Sequence, residues 1–97
     1  MTLTSKQRAT LRSLANPLET IVQVGKGGVG NTLITQVEDA LNARELIKGR
    51  VLPACELNSR EAAELLAQKT SAQVVQVIGT RFVLYRGNPE KNIIKLT

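Results

Sequence analysis

Ile21-Val22-Gln23-Val24-Gly25-Lys26-Gly27-Gly28-Val29-Gly30-Asn31-Thr32 is the stretch on which the fold turns. Its first four residues are a β-branched run. Four glycines follow within six positions. Beyond them Leu33, Ile34, Val37, Ala40 and Leu41 recur with the helical period. The pattern is strand, glycine loop, helix. Glycine has no Cβ to hold a partner away from the backbone. The N–H groups that open the next helix face that partner with the helix dipole behind them. The loop therefore reads as a phosphate-contacting element, with a purely structural turn as the plain alternative. The bearer of the phosphate, a nucleotide or a nucleic-acid backbone, decides the function.

The nucleotide reading has one specific defect. Gly25-x-x-x-x-Gly30-Asn31-Thr32 follows the phosphate-binding pattern G-x-x-x-x-G-K-[ST] except at Asn31. The lysine expected there supplies the charge that reaches the β- and γ-phosphates, and a neutral amide does not replace it. Lys26 suits a variant loop with an earlier lysine, but that variant also needs the later one. A chain of 97 residues is also short for a nucleotidase with a metal-holding aspartate on a second strand. A nucleotide-binding switch built on residues 25–32 stays as the rival reading.

Working outward, Thr4-Ser5-Lys6-Gln7 has the form of a capping box. It predicts a first helix from about Ser5 to Ala15, with Leu11, Leu14 and Ala15 as its buried stripe and Arg8 and Arg12 one turn apart beside it. Asn16-Pro17 stops that helix. The first strand is Thr20 to Val24, and the second helix runs from about Asn31 to Asn42 or Ala43 with Gly30 as N-cap. In the second strand, Leu46 to Leu52, alternation places Ile47, Gly49 and Val51 on one face and Lys48 and Arg50 on the other. Asn58 with Glu61 caps a third helix that extends to about Lys69 and buries Ala62, Leu65 and Leu66. Val74–Ile78 and Arg81–Arg86 are two strands joined by Gly79-Thr80, a tight hairpin turn with glycine first. The last segment, Ile93-Ile94-Lys95-Leu96, either adds a short edge strand or stays loose, and the tail 87–97 is read on those two alternatives.

The order α-β-α-β-α-β-β predicts an α/β two-layer fold. Its four-stranded mixed sheet carries the second and third helices on one face. Strand-helix-strand units imply parallel neighbours, and the final hairpin makes the last strand antiparallel to its predecessor. The docking place of the first helix is not set by the pattern. A single domain spanning 1–97 is expected.

Composition narrows the partner. Lys and Arg number 13 against 8 Asp and Glu, a net charge of +5 with no histidine, and the isoelectric point is about 9.9. Such a balance favours a polyanion. A solitary Cys55 has no histidine to act as its base, and no Cys/His cluster offers zinc a site. No catalytic residue, metal, cofactor or small-molecule substrate is assigned. No apolar run approaches the length of a transmembrane helix, and the expected compartment is the cytoplasm. Phe82 and Tyr85 are the only aromatic residues, so contact with a nucleic-acid backbone fits better than stacking of bases on rings. The site residues proposed are Gly25, Lys26, Gly27 and Gly28 in the loop. Lys48, Arg50, Arg8, Arg12, Arg81 and Arg86 are proposed for the basic surface around it.

With order and loop in place, the chain resembles the YhbY-type proteins, the stand-alone form of the CRM domain (chloroplast RNA splicing and ribosome maturation). The resemblance rests on Leu3-Thr4-Ser5-Lys6-Gln7-Arg8, Leu14-Ala15-Asn16-Pro17-Leu18, Val24-Gly25-Lys26-Gly27-Gly28, Glu45-Leu46-Ile47-Lys48, Gln76-Val77-Ile78-Gly79 and Val83-Leu84-Tyr85-Arg86. It implies a fold similar to the C-terminal domain of translation initiation factor three with an added N-terminal helix. It also implies a role in binding ribosomal RNA in large-subunit precursors. A non-enzymatic monomer without membrane attachment is expected. The family's GxxG loop maps onto Gly25-Lys26-Gly27-Gly28, and Lys48 and Arg86 fall on its basic surface. Gly30 departs from the hydroxyl residue usual in the family as the cap of the second helix. The resemblance leaves a module that docks on an acidic ribosomal protein as a further alternative.

Overall fold

Two capping boxes set the starts of two of the three helices. The Thr4 hydroxyl accepts the Gln7 N–H at 3.1 Å and the Gln7 side chain accepts the Thr4 N–H at 3.0 Å. Asn58 and Glu61 repeat the exchange at 2.8 and 3.0 Å. Each box satisfies helix-terminal donors that would otherwise lack partners. The structure is a computed structural model and describes residues 3–91 and 93–96. Its elements are α1 (Ser5–Ala15), β1 (Thr20–Val24), α2 (Asn31–Arg44), β2 (Leu46–Val51), α3 (Ser59–Thr70), β3 (Gln73–Ile78) and β4 (Arg81–Tyr85). Gly30 is the N-cap of α2 and makes no side-chain cap bond.

The sheet order is β1-β2-β4-β3. β1 and β2 are parallel, while β4 is antiparallel to both β2 and β3. The mixed sheet is the expected one, with one difference in detail. β2 and β3 are not neighbours, because the Gly79-Thr80 hairpin folds β4 into the space between them. Gly79 has φ +57, the left-handed geometry that a glycine-first hairpin turn needs.

α2 and α3 cover one face of the sheet. Val37 and Leu41 of α2 and Ala62, Ala63 and Leu66 of α3 pack there with Val22, Val24, Ile47, Phe82 and Leu84. Gly49 lies directly opposite Phe82, and a Cβ at Gly49 would press into the Phe82 ring. The phenyl group fills the place of the missing side chain. α1 takes the other face, where Leu3, Leu11 and Ala15 join Leu46, Val75, Val83 and Tyr85 in a second, smaller core. Burying one leucine in such a core contributes about 1.5–3 kcal/mol, and Leu3 and Leu11 together help to hold α1 at one end of the sheet. Two positions differ from the expected stripes. Leu14 is 44% exposed, and Leu65 is half-buried while Ala63 and Ala67 take the inner positions of α3. Small alanines let α3 approach the sheet closely, and the bulkier Leu65 moves to the flank.

Beyond β4 the chain forms no further strand among the described residues. Asn92 and Thr97 of the tail lie outside them. The segment is held through one carboxylate. Glu45 accepts the backbone N–H of Asn88, Ile93 and Ile94 at 3.0, 3.1 and 2.9 Å, while Ile94 and Leu96 pack on the smaller core.

Candidate nucleic-acid interface

The glycine loop lies past the C-terminal end of β1. Parallel pairing puts that end beside the C-terminal end of β2, where Val24 pairs with Val51. Antiparallel pairing brings the start of β4 and the end of β3 to the same edge. Gly25 to Gly28 make a turn closed by the Gly28 N–H on the Gly25 carbonyl at 3.0 Å. Lys26 and Gly27 occupy its exposed tip. Gly28 has φ +66, so the backbone itself requires glycine there. Gly27 is different: its φ is ordinary and a Cβ would meet nothing within 4 Å. Neither the turn nor the packing demands glycine at 27, and the space before it is open.

Next to this edge, the face that carries α1 has two mostly polar rungs, the first bordering the α1 core through the buried Val83. Thr20, Lys48, Val83 and Gln76 lie in register across β1, β2, β4 and β3. The next rung toward the loop is Gln23, Arg50, Arg81 and Ile78. Strands about 4.8 Å apart and rungs about 6.7 Å apart put the Cα of Arg50 roughly 8 Å from that of Gly25. Arg50 and Arg81 are directly opposite one another, an arrangement that is destabilising for like charges. Among the described residues, Lys26, Lys48, Arg50 and Arg81 have no ion-pair partner; the salt bridges there are Arg60–Glu64 and Arg86–Glu38. The Nε of Arg50 is buried without a hydrogen-bond acceptor. Lys48 donates only to the Asn16 carbonyl, at 3.3 Å. Four cations without carboxylates, two of them opposed, make a positively charged surface beside the loop.

Two other arginines proposed from the sequence, Arg86 and Arg8, are engaged inside the fold instead. Arg86 is a clamp at the opposite end of the sheet. Its Nη1 donates to Glu38 Oε2 at 3.0 Å and to the Thr70 carbonyl at 2.6 Å, and its Nη2 donates to Asn42 Oδ1 at 2.8 Å. One guanidinium thus ties β4 to α2 and α3, and its donors are occupied inside the fold. Arg8 donates to the carbonyls of Val74 and Val75 at 2.6 and 3.2 Å. There the register of β3 shifts against β4, and Arg8 satisfies acceptors that the irregularity leaves out of the ladder. Arg12 is half-buried in the last turn of α1, where a cation complements the helix dipole.

Phe82 and Tyr85 are 1% and 4% exposed and point to opposite faces of the sheet, so neither presents a ring to a base. Burial pushes the Tyr85 hydroxyl above its ordinary pKa, and the nearby Glu45 carboxylate adds to the shift. Glu45 is itself fully buried. Burial raises its pKa, but the N–H donors of Ile94, Asn88 and Ile93 more than offset this and leave it below the usual value.

Sequence reasoning missed a cleft of about 140 Å³ on the open face, lined by Asn16, Lys48, Gln76, Ile78, Arg81, Phe82 and Val83. Alternation could have paired Gln76 with Ile78 on one side of β3. Their meeting with Lys48 and Arg81 needed the strand order.

The CRS1 / YhbY (CRM) domain model matches residues 3–86. The chain is 48% identical to the Bacillus subtilis protein YqeI over 94 residues, 97% of this chain and 98% of that one. It is 36% identical over 92 residues to a Haemophilus influenzae protein named RNA-binding protein, covering 95% of this chain and 93% of the other. The solution structure of a Staphylococcus aureus protein superposes with a TM-score of 0.82 at 44% identity, over 99% of this chain and all of that one.

Proposed function

The chain belongs to the CRS1 / YhbY (CRM) domain family, and from that premise we propose that it is a non-enzymatic RNA-binding protein of the cytoplasm, acting on ribosomal RNA in precursors of the large subunit. The observation that carries the RNA reading is the continuity of two features at one edge of the sheet. An open glycine turn bears Lys26, and beside it Lys48, Arg50 and Arg81 have no ion-pair partner among the described residues. The turn lets the RNA backbone approach at Gly27, Lys26 meets a phosphate at its tip, and the three cations of the face neutralise phosphates further along. The choice of ribosomal RNA follows the family resemblance.

Four neutralised phosphates give a salt slope of about −2.8 for single strands and about −3.6 for duplex. Affinity for large-subunit precursor RNA should then fall roughly a hundredfold between 50 and 200 mM salt. A flat response would remove the electrostatic basis of the reading. Calorimetry with ATP and GTP in magnesium is the control. Asn31 opens α2 where a triphosphate loop needs lysine, and no micromolar binding is expected. Crosslinking in cells, mapped on the RNA, tests the assignment to large-subunit precursors.

A further inference from the structure

The loop and the cations explain how a backbone is held, but not how one RNA is told from another. Phosphate contacts position a protein; base contacts specify. The usual means of reading an RNA base, an exposed ring, is missing here, since both aromatic residues are buried.

We propose that the cleft on the open sheet face receives one unstacked nucleotide of the RNA held at the loop, and that this is where a base is read. The proposal rests on the RNA reading above. Four features of the cleft carry it. Its volume, about 140 Å³, is well under the roughly 300–1,000 Å³ of a pocket for a drug-sized ligand and suits one heterocycle. Lys48 and Arg81 stand in its lining, so a nucleotide entering there brings its phosphate to two cations without carboxylate partners. Asn16 and Gln76 line it as well, and among the described residues neither side-chain amide has a hydrogen-bond partner. An amide offers a donor and an acceptor side by side, the combination that pairs with a base edge. Ile78 supplies an apolar wall and is 63% exposed. A single exposed apolar residue is ordinary on a protein surface. One that stands directly opposite an arginine, in a rung with two arginines and beside a free amide, faces a ligand with both charge and a flat apolar surface. A nucleotide has both, and inorganic phosphate has only the first.

The test uses the full chain and three probes: a fully paired RNA hairpin, the same hairpin with one bulged nucleotide (in each of the four base identities), and inorganic phosphate. At least one bulged hairpin should bind about tenfold tighter or more than the paired one, the scale of a good base contact. It should also shift the NMR signals of the Ile78 methyl groups and the Gln76 side-chain amide. Gln76→Ala and Ile78→Ala should abolish that preference and leave the affinity for the paired hairpin unchanged. Ile78 is exposed, so its variant keeps the fold, and the amide spectrum verifies both variants. The proposal is overturned if no bulged hairpin is preferred, if the preference survives both variants, or if phosphate alone produces the same shifts at Gln76 and Ile78. Binding at the loop with silence in the cleft sinks this inference alone; no binding of any RNA sinks the reading beneath it.

Discussion

The two ends of one sheet handle charge in opposite ways. At the end where β2 begins and β4 finishes, two charged groups, Glu45 and Arg86, are held and answered by partners in the fold. Glu45 accepts three backbone N–H groups, and Arg86 donates to a carboxylate, an amide and a carbonyl. At the other end, Lys26, Lys48, Arg50 and Arg81 lack carboxylate partners among the described residues, and two of them face each other across a strand pair. Residue type does not separate the two groups, since arginines serve both. Pairing does. A buried charge must be matched by donors or acceptors to be tolerated, so the first end contributes to the fold. Unmatched cations on an open face reduce stability slightly and remain available to an outside anion. Substitutions at the two ends should therefore affect different measurements.

The largest effect belongs to Arg86. Arg86→Ala leaves the Glu38 carboxylate and the Thr70 carbonyl without their donor in a partly buried place. Loss of one partner from a buried pair costs about 3–5 kcal/mol. With the Arg86 and Glu38 side chains 21% and 37% exposed, somewhat less is expected, about 2–3 kcal/mol in urea denaturation, a drop of about 10 °C or more in Tm for a chain of this size. Arg86→Lys should recover only part of it, because an ammonium does not reproduce the guanidinium fork. RNA affinity per folded molecule should not change. A variant of normal stability that bound RNA weakly would break the contrast between the ends.

Glu45 comes next, and pH probes it. Its pKa is lowered in the folded state, so its contribution is complete above the unfolded carboxylate value near 4.3. That contribution fades as the pH falls through the lowered value. Tm should drop on acidification, and the amides of Asn88, Ile93 and Ile94 should lose protection, relative to their intrinsic exchange rate at each pH, before the sheet opens. Glu45→Gln, with one fewer acceptor oxygen, should cost about 2 kcal/mol at neutral pH and flatten the acid limb. Glu45 also has φ +66, a conformation that costs a non-glycine residue about 1–3 kcal/mol. The bonds of its carboxylate and backbone hold it there.

At the open end the sign reverses. Arg81→Gln removes one of two opposed charges, so stability should hold or rise by about 0.2–1 kcal/mol. RNA affinity at low salt should fall, with a shallower salt slope. If Arg81→Gln destabilises the protein, Arg81 has a partner within the fold and the two ends do not differ.

The elements and capping boxes were legible because their signals are local. Thr4 with Gln7, Asn58 with Glu61, and the alternation of Ile47, Gly49 and Val51 against Lys48 and Arg50 all act within a few residues. The glycine loop was legible for the same reason. The insertion of β4 between β2 and β3 was not, since order in a sheet is set by packing across the whole molecule. That order decides which arginines reach the open face. Nothing near Arg86 in the chain announces Glu38, Asn42 or Thr70. A strand-end arginine that clamps two helices reads, locally, like one that waits for a phosphate. The tail posed the same difficulty: Ile93 and Ile94 have the composition of a strand, and the carboxylate that holds their N–H groups lies far back in the sequence.

The smallest stability effect and the sharpest test of the open end fall together at the loop tip. Lys26 is exposed and no hydrogen bond or ion pair engages it among the described residues. Lys26→Ala should therefore change stability by no more than about 0.5 kcal/mol. It should weaken RNA binding across sequences and reduce the salt slope by about one phosphate's share, roughly 0.7–0.9. Gly27→Asp is the stronger partner variant. Gly28 is the poorer choice, because its φ of +66 makes any substitution there a folding perturbation. At Gly27 the backbone is ordinary and the space is open, so the aspartate fits the fold and sets a carboxylate at the proposed point of RNA contact. Its Tm should stay within a few degrees of the wild type while RNA affinity falls further than for Lys26→Ala. If both variants bind precursor RNA with wild-type affinity and slope, the glycine loop is only a turn, and Lys48, Arg50 and Arg81 carry the interface alone.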